Sequence, residues 1–224
     1  MRLIKYPMVK VKVCGITNVE DARAALAAGA DALGFNFYRR SPRYIAPEEA
    51  REIISELPRA AAVLCVGVFV NEESAATVAR MATEANVAVV QLHGDESPEY
   101  CAALREHRVI KALRVGKDFA PEQARESCAE SILLDAFSAG ARGGTGETFD
   151  WELARRTRRL VAQLYLAGGL TPENVADAIA AVGPYAVDVC SGVELAPGRK
   201  DAVRMRAFVA AVRAAEKKLD LQPS

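Results

Sequence analysis

Eight short apolar runs recur along this chain, and a segment with helical periodicity separates each from the next. The runs are Lys10–Cys14, Ala32–Phe37, Ala62–Val70, Val87–Leu92, Val109–Leu113, Ile132–Asp135, Ala162–Ala167 and Ala186–Cys190. Most are apolar on both faces, the pattern of parallel strands covered on each side. Strict alternation of strand and helix indicates a parallel α/β sheet. Divided over eight units, 224 residues give 28 apiece. That count favours closure into a (β/α)8 TIM barrel over an open doubly wound sheet. No linker, low-complexity run or composition step divides the chain, so residues 1–224 are expected to form one domain. The barrel is placed at about 10–219, with a tail at 220–224.

The helices carry legible punctuation. Asn18 is placed to cap a helix over Val19–Ala28 that Gly29 terminates. Pro47 starts the next helix and Pro58 stops it. Ser97-Pro98, Ala120-Pro121 and Thr171-Pro172 open three more, Asp150 another, and Asp201 the long last one.

Composition excludes several classes of function. With 29 basic and 29 acidic residues the chain has no net charge, so nothing draws it to nucleic acid or to a membrane surface. The basic run Arg155, Arg156, Arg158 and Arg159 reads as the solvated face of a helix. Five cysteines (14, 65, 101, 128 and 190) are scattered and form no CxxC, which argues against a disulfide framework or a zinc site and fits a reducing cytoplasm. The longest apolar stretch, Ala60 to Val70, is too short to span a bilayer as a helix.

In a barrel of this kind the chemistry sits at the carboxyl ends of the strands. The first strand ends in Cys14, which is either a small buried hydrophobe or a functional thiol at the mouth. An ordinary thiol is about 3% ionised at pH 7, a deficit of roughly 2 kcal/mol that nearby positive charge offsets. The loop after the second strand carries Arg39, Arg40 and Arg43; Arg43, between a proline and a tyrosine, is the best constrained, and its planar fork suits a carboxylate. Gln91 and His93 share one side of the fourth strand, and His93 reads equally as a base or as a residue that fixes loop hydrogen bonds. Asp135 ends the sixth strand, as a loop cap or as a general acid; keeping it protonated at pH 7 costs about 4 kcal/mol unless its surroundings raise its pKa. Gly144 lies in a glycine-rich loop that lacks the third glycine of a dinucleotide fingerprint, and it suits a flap or a phosphate contact. Gly168 and Gly169 after strand seven, with Ser191 and Gly192 after strand eight, stand where barrels bind phosphate.

The fragments KVCGIT, GFNFYRRSPRYI, VGVFVN, VQLHGDE, LLDAF, GGTGETFDW, LAGGLTPENV and VDVCSGVE, in this order, resemble phosphoribosylanthranilate isomerases from about Val11 to Asp201. The resemblance implies a cytoplasmic (β/α)8 enzyme of tryptophan biosynthesis, without metal or organic cofactor, that acts on a small phosphosugar as a monomer or homodimer. It implies Cys14 as general base, Asp135 as general acid and Arg43 as the group that holds the substrate carboxylate. It also implies a phosphate site at Gly168, Gly169, Ser191 and Gly192 with Gly144 nearby. Two rivals remain: another phosphosugar isomerase of the barrel class, and a non-catalytic phosphosugar-binding subunit. The histidine-pathway isomerase carries an aspartate on strand one, where this chain has Cys14.

Overall fold

A computed structural model describes residues 8–58, 63–116, 118–127, 129–135 and 151–220. Eight parallel strands close on themselves in sequence order: β1 Lys10–Cys14, β2 Ala32–Asn36, β3 Leu64–Phe69, β4 Val89–Leu92, β5 Arg108–Arg114, β6 Ser131–Asp135, β7 Gln163–Ala167 and β8 Ala186–Val189. The closing seam joins β1 to β8, with Lys12 opposite Asp188 and Val13 opposite Val189. Outside the barrel run α1 Val19–Ala28, α2 Pro47–Ser55, α3 Ala75–Ala85, α4 Pro98–Ala102, α5 Gln123–Glu126, α6 Trp151–Arg158, α7 Val175–Val182 and α8 Ala202–Asp220. Helix α8 packs on both α7 and α1, completing the outer ring next to the β1–β8 seam.

Two hydrophobic layers follow from strands that are apolar on both faces. The outward side chains Val11, Val13, Leu33, Phe35, Leu92, Ile132 and Leu134 meet the helices. The inward ones, Val66, Val89, Ile110, Leu133 and Tyr165 among them, fill the barrel. Each fully buried Leu, Ile or Phe contributes roughly 1.5–3 kcal/mol from area removed from water.

Local chemistry sets the ends of the elements. Asn18 accepts from the Asp21 amide, and Gly29 closes α1 at φ 98°, a left-handed conformation that favours glycine. Asp201 caps α8 by accepting from the amides of Val203 and Arg204. Two expected openings are displaced. Helix α7 begins at Val175 rather than after Pro172, because Asn174 first accepts from the Thr171 amide in a closed turn. After Pro121, α5 is a single turn over Gln123–Glu126. Strand β8 stops at Val189, and Cys190 leaves the ladder to enter a 3-10 turn over Ser191–Val193. Two short strands, β9 Glu194–Ala196 and β10 Arg199–Lys200, form a small antiparallel ribbon that sequence periodicity does not reveal. The expectations for Asp150, the 221–224 end of the tail and the loop that holds Gly144 lie outside the described residues. Among the described residues no helix is long and apolar enough to cross a membrane.

Leu133 lies inside the barrel with no solvent exposure. Leu133→Ala should lower unfolding free energy by about 2–5 kcal/mol, read from urea denaturation at constant m-value. A loss below 1 kcal/mol would mean that the barrel interior is not packed there.

Candidate active site

The carboxyl ends of the strands converge on a cavity of about 430 Å³ whose lining includes Cys14, Arg43, Gln91, His93, Asp135, Gly168, Gly169, Asp188, Cys190 and Ser191. A groove of about 510 Å³ lies outside the mouth, along Tyr38, Arg39, Tyr44 and Arg80, and holds neither Cys14 nor Asp135. Arg39 stacks over the Tyr44 ring at 5.7 Å, and both Arg39 and Arg40 are exposed, in keeping with solvated loop residues.

Beneath the mouth, inside the barrel, Lys12 Nζ meets Asp188 Oδ1 at 2.9 Å, and both side chains are buried. Burial alone would strip the proton from Lys12, but the anionic partners Asp188 and Cys14 outweigh it and raise its pKa. Burial pushes the Asp188 carboxyl up to about 7 against the pull of Lys12. Lys12 carries the fixed charge of the pair, because Asp188 and Cys14 both favour its protonated form.

One rung above stand Cys14 and Cys190, two residues on from Lys12 and Asp188 along β1 and the end of β8. The neighbouring Cys190 holds the Cys14 pKa well below the ordinary thiol range, while its own S–H points to Glu194 Oε1 at 3.9 Å. Lys12 and Lys200 act in the same direction and oppose the effect of burial. Cys190 is pushed far up by the same contact and by burial, so it keeps its proton. Cys65, by contrast, has only burial acting on it, and its thiol rises to about 11. Backbone economy makes room for the sulfurs: a Cβ on Gly34 would stand 2.7 Å from Cys14 Sγ, and one on Gly15 3.1 Å from Cys190 Sγ.

A second charged chain borders the thiols. Lys200, fully buried at its side chain, donates to Glu194 Oε1 at 2.8 Å and to the Cys190 carbonyl at 3.3 Å, and lies 3.7 Å from Cys190 Sγ. Glu194 in turn accepts from Arg43, Nε to Oε1 at 2.8 Å and to Oε2 at 3.1 Å, and Nη2 to Oε2 at 2.6 Å. One edge of the Arg43 fork is therefore committed inside the protein, leaving its Nη1 end as the edge for a second carboxylate. Across the mouth, Asp135 Oδ2 lies 3.1 Å from His93 Nε2, and His93 Nδ1 lies 2.9 Å from Gln91 Nε2. Gly168 and Gly169 take φ values of 89° and 69° after β7, and Gly192 packs against the Leu170 carbonyl. Gly144 falls outside the described residues.

The sequence reading thus places nine of its ten candidate residues on described structure, around one barrel mouth. It misses Lys12, Asp188, Cys190, Glu194 and Lys200. A signal for three of them was present: Lys12-Val13-Cys14 and Asp188-Val189-Cys190 are the same pattern with opposite charges, on strands that barrel closure pairs.

The fold and mouth define the class: a (β/α)8-barrel enzyme with a thiol and a carboxylate facing one cavity. A family model for N-(5'-phosphoribosyl)anthranilate isomerase matches residues 11–211. An isomerase of that name from Trichlorobacter lovleyi is 52% identical over 202 residues, covering 90% of this chain and 97% of the relative. The crystal structure of phosphoribosyl anthranilate isomerase from Thermotoga maritima is 47% identical, with a TM-score of 0.83, and covers 92% of this chain and all of that one. A second crystal structure, of phosphoribosyl anthranilate isomerase in complex with reduced 1-(o-carboxyphenylamino)-1-deoxyribulose 5-phosphate, is 45% identical at a TM-score of 0.81, covering 92% of this chain and all of that one. The chain belongs to the N-(5'-phosphoribosyl)anthranilate isomerase family.

Glu194 gives a pH test of this network. Burial would raise its pKa, but Arg43 and Lys200 overcome that and hold it below the usual carboxylate range. A depressed folded value stabilises the fold above the unfolded pKa of about 4.3, and that contribution disappears as pH falls through the folded value. Glu194→Gln should cost about 1–3 kcal/mol at pH 7 and flatten the stability profile on its acid side, read from urea unfolding across pH. An unchanged acid slope would contradict the network.

Proposed function

We propose that this chain converts N-(5-phosphoribosyl)anthranilate to 1-(2-carboxyphenylamino)-1-deoxyribulose 5-phosphate by an Amadori rearrangement, as a cytoplasmic step of tryptophan biosynthesis. The observation that carries the reading is the presence of Cys14 and Asp135, from β1 and β6, in one cavity at the barrel mouth. Asp135 protonates the furanose ring oxygen, the ring C1′–O bond breaks, and the anthranilate nitrogen supplies the electrons that form an iminium. Cys14, held toward its thiolate by Cys190, Lys12 and Lys200, then removes the C2′ proton, which the iminium has made acidic. The enolamine that results tautomerises to the ketone. Cys14 needs no bond to carbon.

Binding follows the same geometry. The uncommitted end of Arg43 takes the anthranilate carboxylate while Glu194 fixes the guanidinium plane. The glycines after β7 and the turn at Ser191–Gly192 leave backbone donors at the mouth for the phosphate. His93 is a positioning residue that orients Asp135.

Substrate fluorescence of the anthranilate type disappears as the rearrangement proceeds, which provides the assay. Cys14→Ser and Asp135→Asn should each cut kcat by at least 10³-fold, on the order of the loss expected when an essential proton-transfer group is removed, with the fold retained by circular dichroism. Near wild-type turnover in either variant would refute that residue's role. A purified wild-type protein that binds the substrate without consuming it would instead support a phosphosugar-binding subunit.

A further inference from the structure

The mechanism above uses one of the two thiols at the mouth and leaves the other without a chemical role. Four observations bear on the second. Cys190 follows β8 one residue beyond Val189, which pairs with Val13, so the chain brings it beside Cys14 as it turns out of the ladder. Val13 and Val189 pair across strands about 4.7–4.9 Å apart, and Cys14 and Cys190 each stand one residue further on. Both thiols are free, partly exposed and line the same cavity, so a small oxidant entering the mouth reaches them. Lys200 places its ammonium 3.7 Å from Cys190 Sγ, and Lys12 lies beneath Cys14. Arg43 and Glu194 flank the pair, and Asp188 neutralises Lys12 from below.

We propose that Cys14 and Cys190 form a peroxide-responsive dithiol, with Cys14 as the oxidised thiol and Cys190 as the thiol that resolves it into a disulfide. The Cys14 thiolate attacks a peroxide oxygen; an S–O bond forms, the O–O bond breaks, and the departing hydroxide leaves as water after taking a proton from solvent. Sulfur has given up two electrons and Cys14 is a sulfenic acid. With the negative charge on Cys14 gone, the group that kept Cys190 protonated is removed, while Lys200 still favours its thiolate. Cys190 then attacks the Cys14 sulfur, the S–S bond forms, the S–O bond breaks, and hydroxide leaves as water with the Cys190 proton. In sum, two thiols and one hydrogen peroxide become one disulfide and two waters. The bond joins β1 to the turn that follows β8 in a closed barrel with little freedom to adjust, so it belongs to the readily reduced kind.

The consequence for activity rests on Cys14 being the base; formation of the bond does not. Purified protein is treated with hydrogen peroxide, assayed for turnover, digested without reductant and mapped by mass spectrometry, then reduced with dithiothreitol and assayed again. The expected result is a linked Cys14–Cys190 peptide lighter by two hydrogens, loss of turnover in proportion to it, and at least 80%, roughly, of activity recovered on reduction. In Cys190→Ser, compared with its own untreated activity, oxidation should run on to the sulfinic acid and reduction should restore little. Inactivated wild-type protein without the linked peptide would overturn the proposal, as would equal recovery in Cys190→Ser. A linked peptide in fully active protein would leave the dithiol standing and overturn the role of Cys14 as base.

Discussion

Closure of β1 against β8 is the constraint on which the site depends. That seam places Lys12 beside Asp188 inside the barrel. Two buried charges are expensive to desolvate, and their attraction offsets the cost only when the geometry is good. Removing one partner of such a pair typically costs about 3–5 kcal/mol, because the other charge is left alone. The same rung fixes the next one, so the pairing that seats the charges also sets Cys190 against Cys14. Stability and acid–base chemistry share one piece of geometry here.

Positive charge reaches the thiols from two directions. Lys12 rises from the barrel interior, and Lys200 enters from the β9–β10 ribbon. Glu194 ties Lys200 to Arg43, so the groups that tune the thiolate and the group that would hold the substrate carboxylate belong to one ionic chain. A change in any member therefore moves both binding and the proton acceptor. Asp135 meets His93, which in turn meets Gln91.

Most of the fold was legible because its signals are local. Runs such as Ala32–Phe35 and Ile132–Leu134 are apolar on both faces, and Asn18, Gly29, Pro47 and Asp201 punctuate helices through contacts within a few residues. Strand ends then exposed Cys14, Gln91, His93 and Asp135 as candidates, since the barrel mouth is where strand ends meet. The partners were not legible in the same way. Lys12 and Asp188 are 176 residues apart, and Arg43 and Glu194 are 151 apart, so their pairing exists only once the ring closes. Lys200 sits on a two-residue strand too short to carry any periodicity. His93 stayed ambiguous until the distance to Asp135 fixed it as that residue's neighbour.

The central claim is that this seam holds Cys14 as a thiolate ready to accept a proton. It is tested most directly by the ¹³Cβ chemical shift of Cys14, followed across pH in protein labelled at cysteine and assigned through Cys14→Ser. The account predicts a midpoint well below the ordinary thiol value of about 8.5, moving upward in Lys12→Met. A Cys14 midpoint at or above that value in the wild-type protein would contradict it.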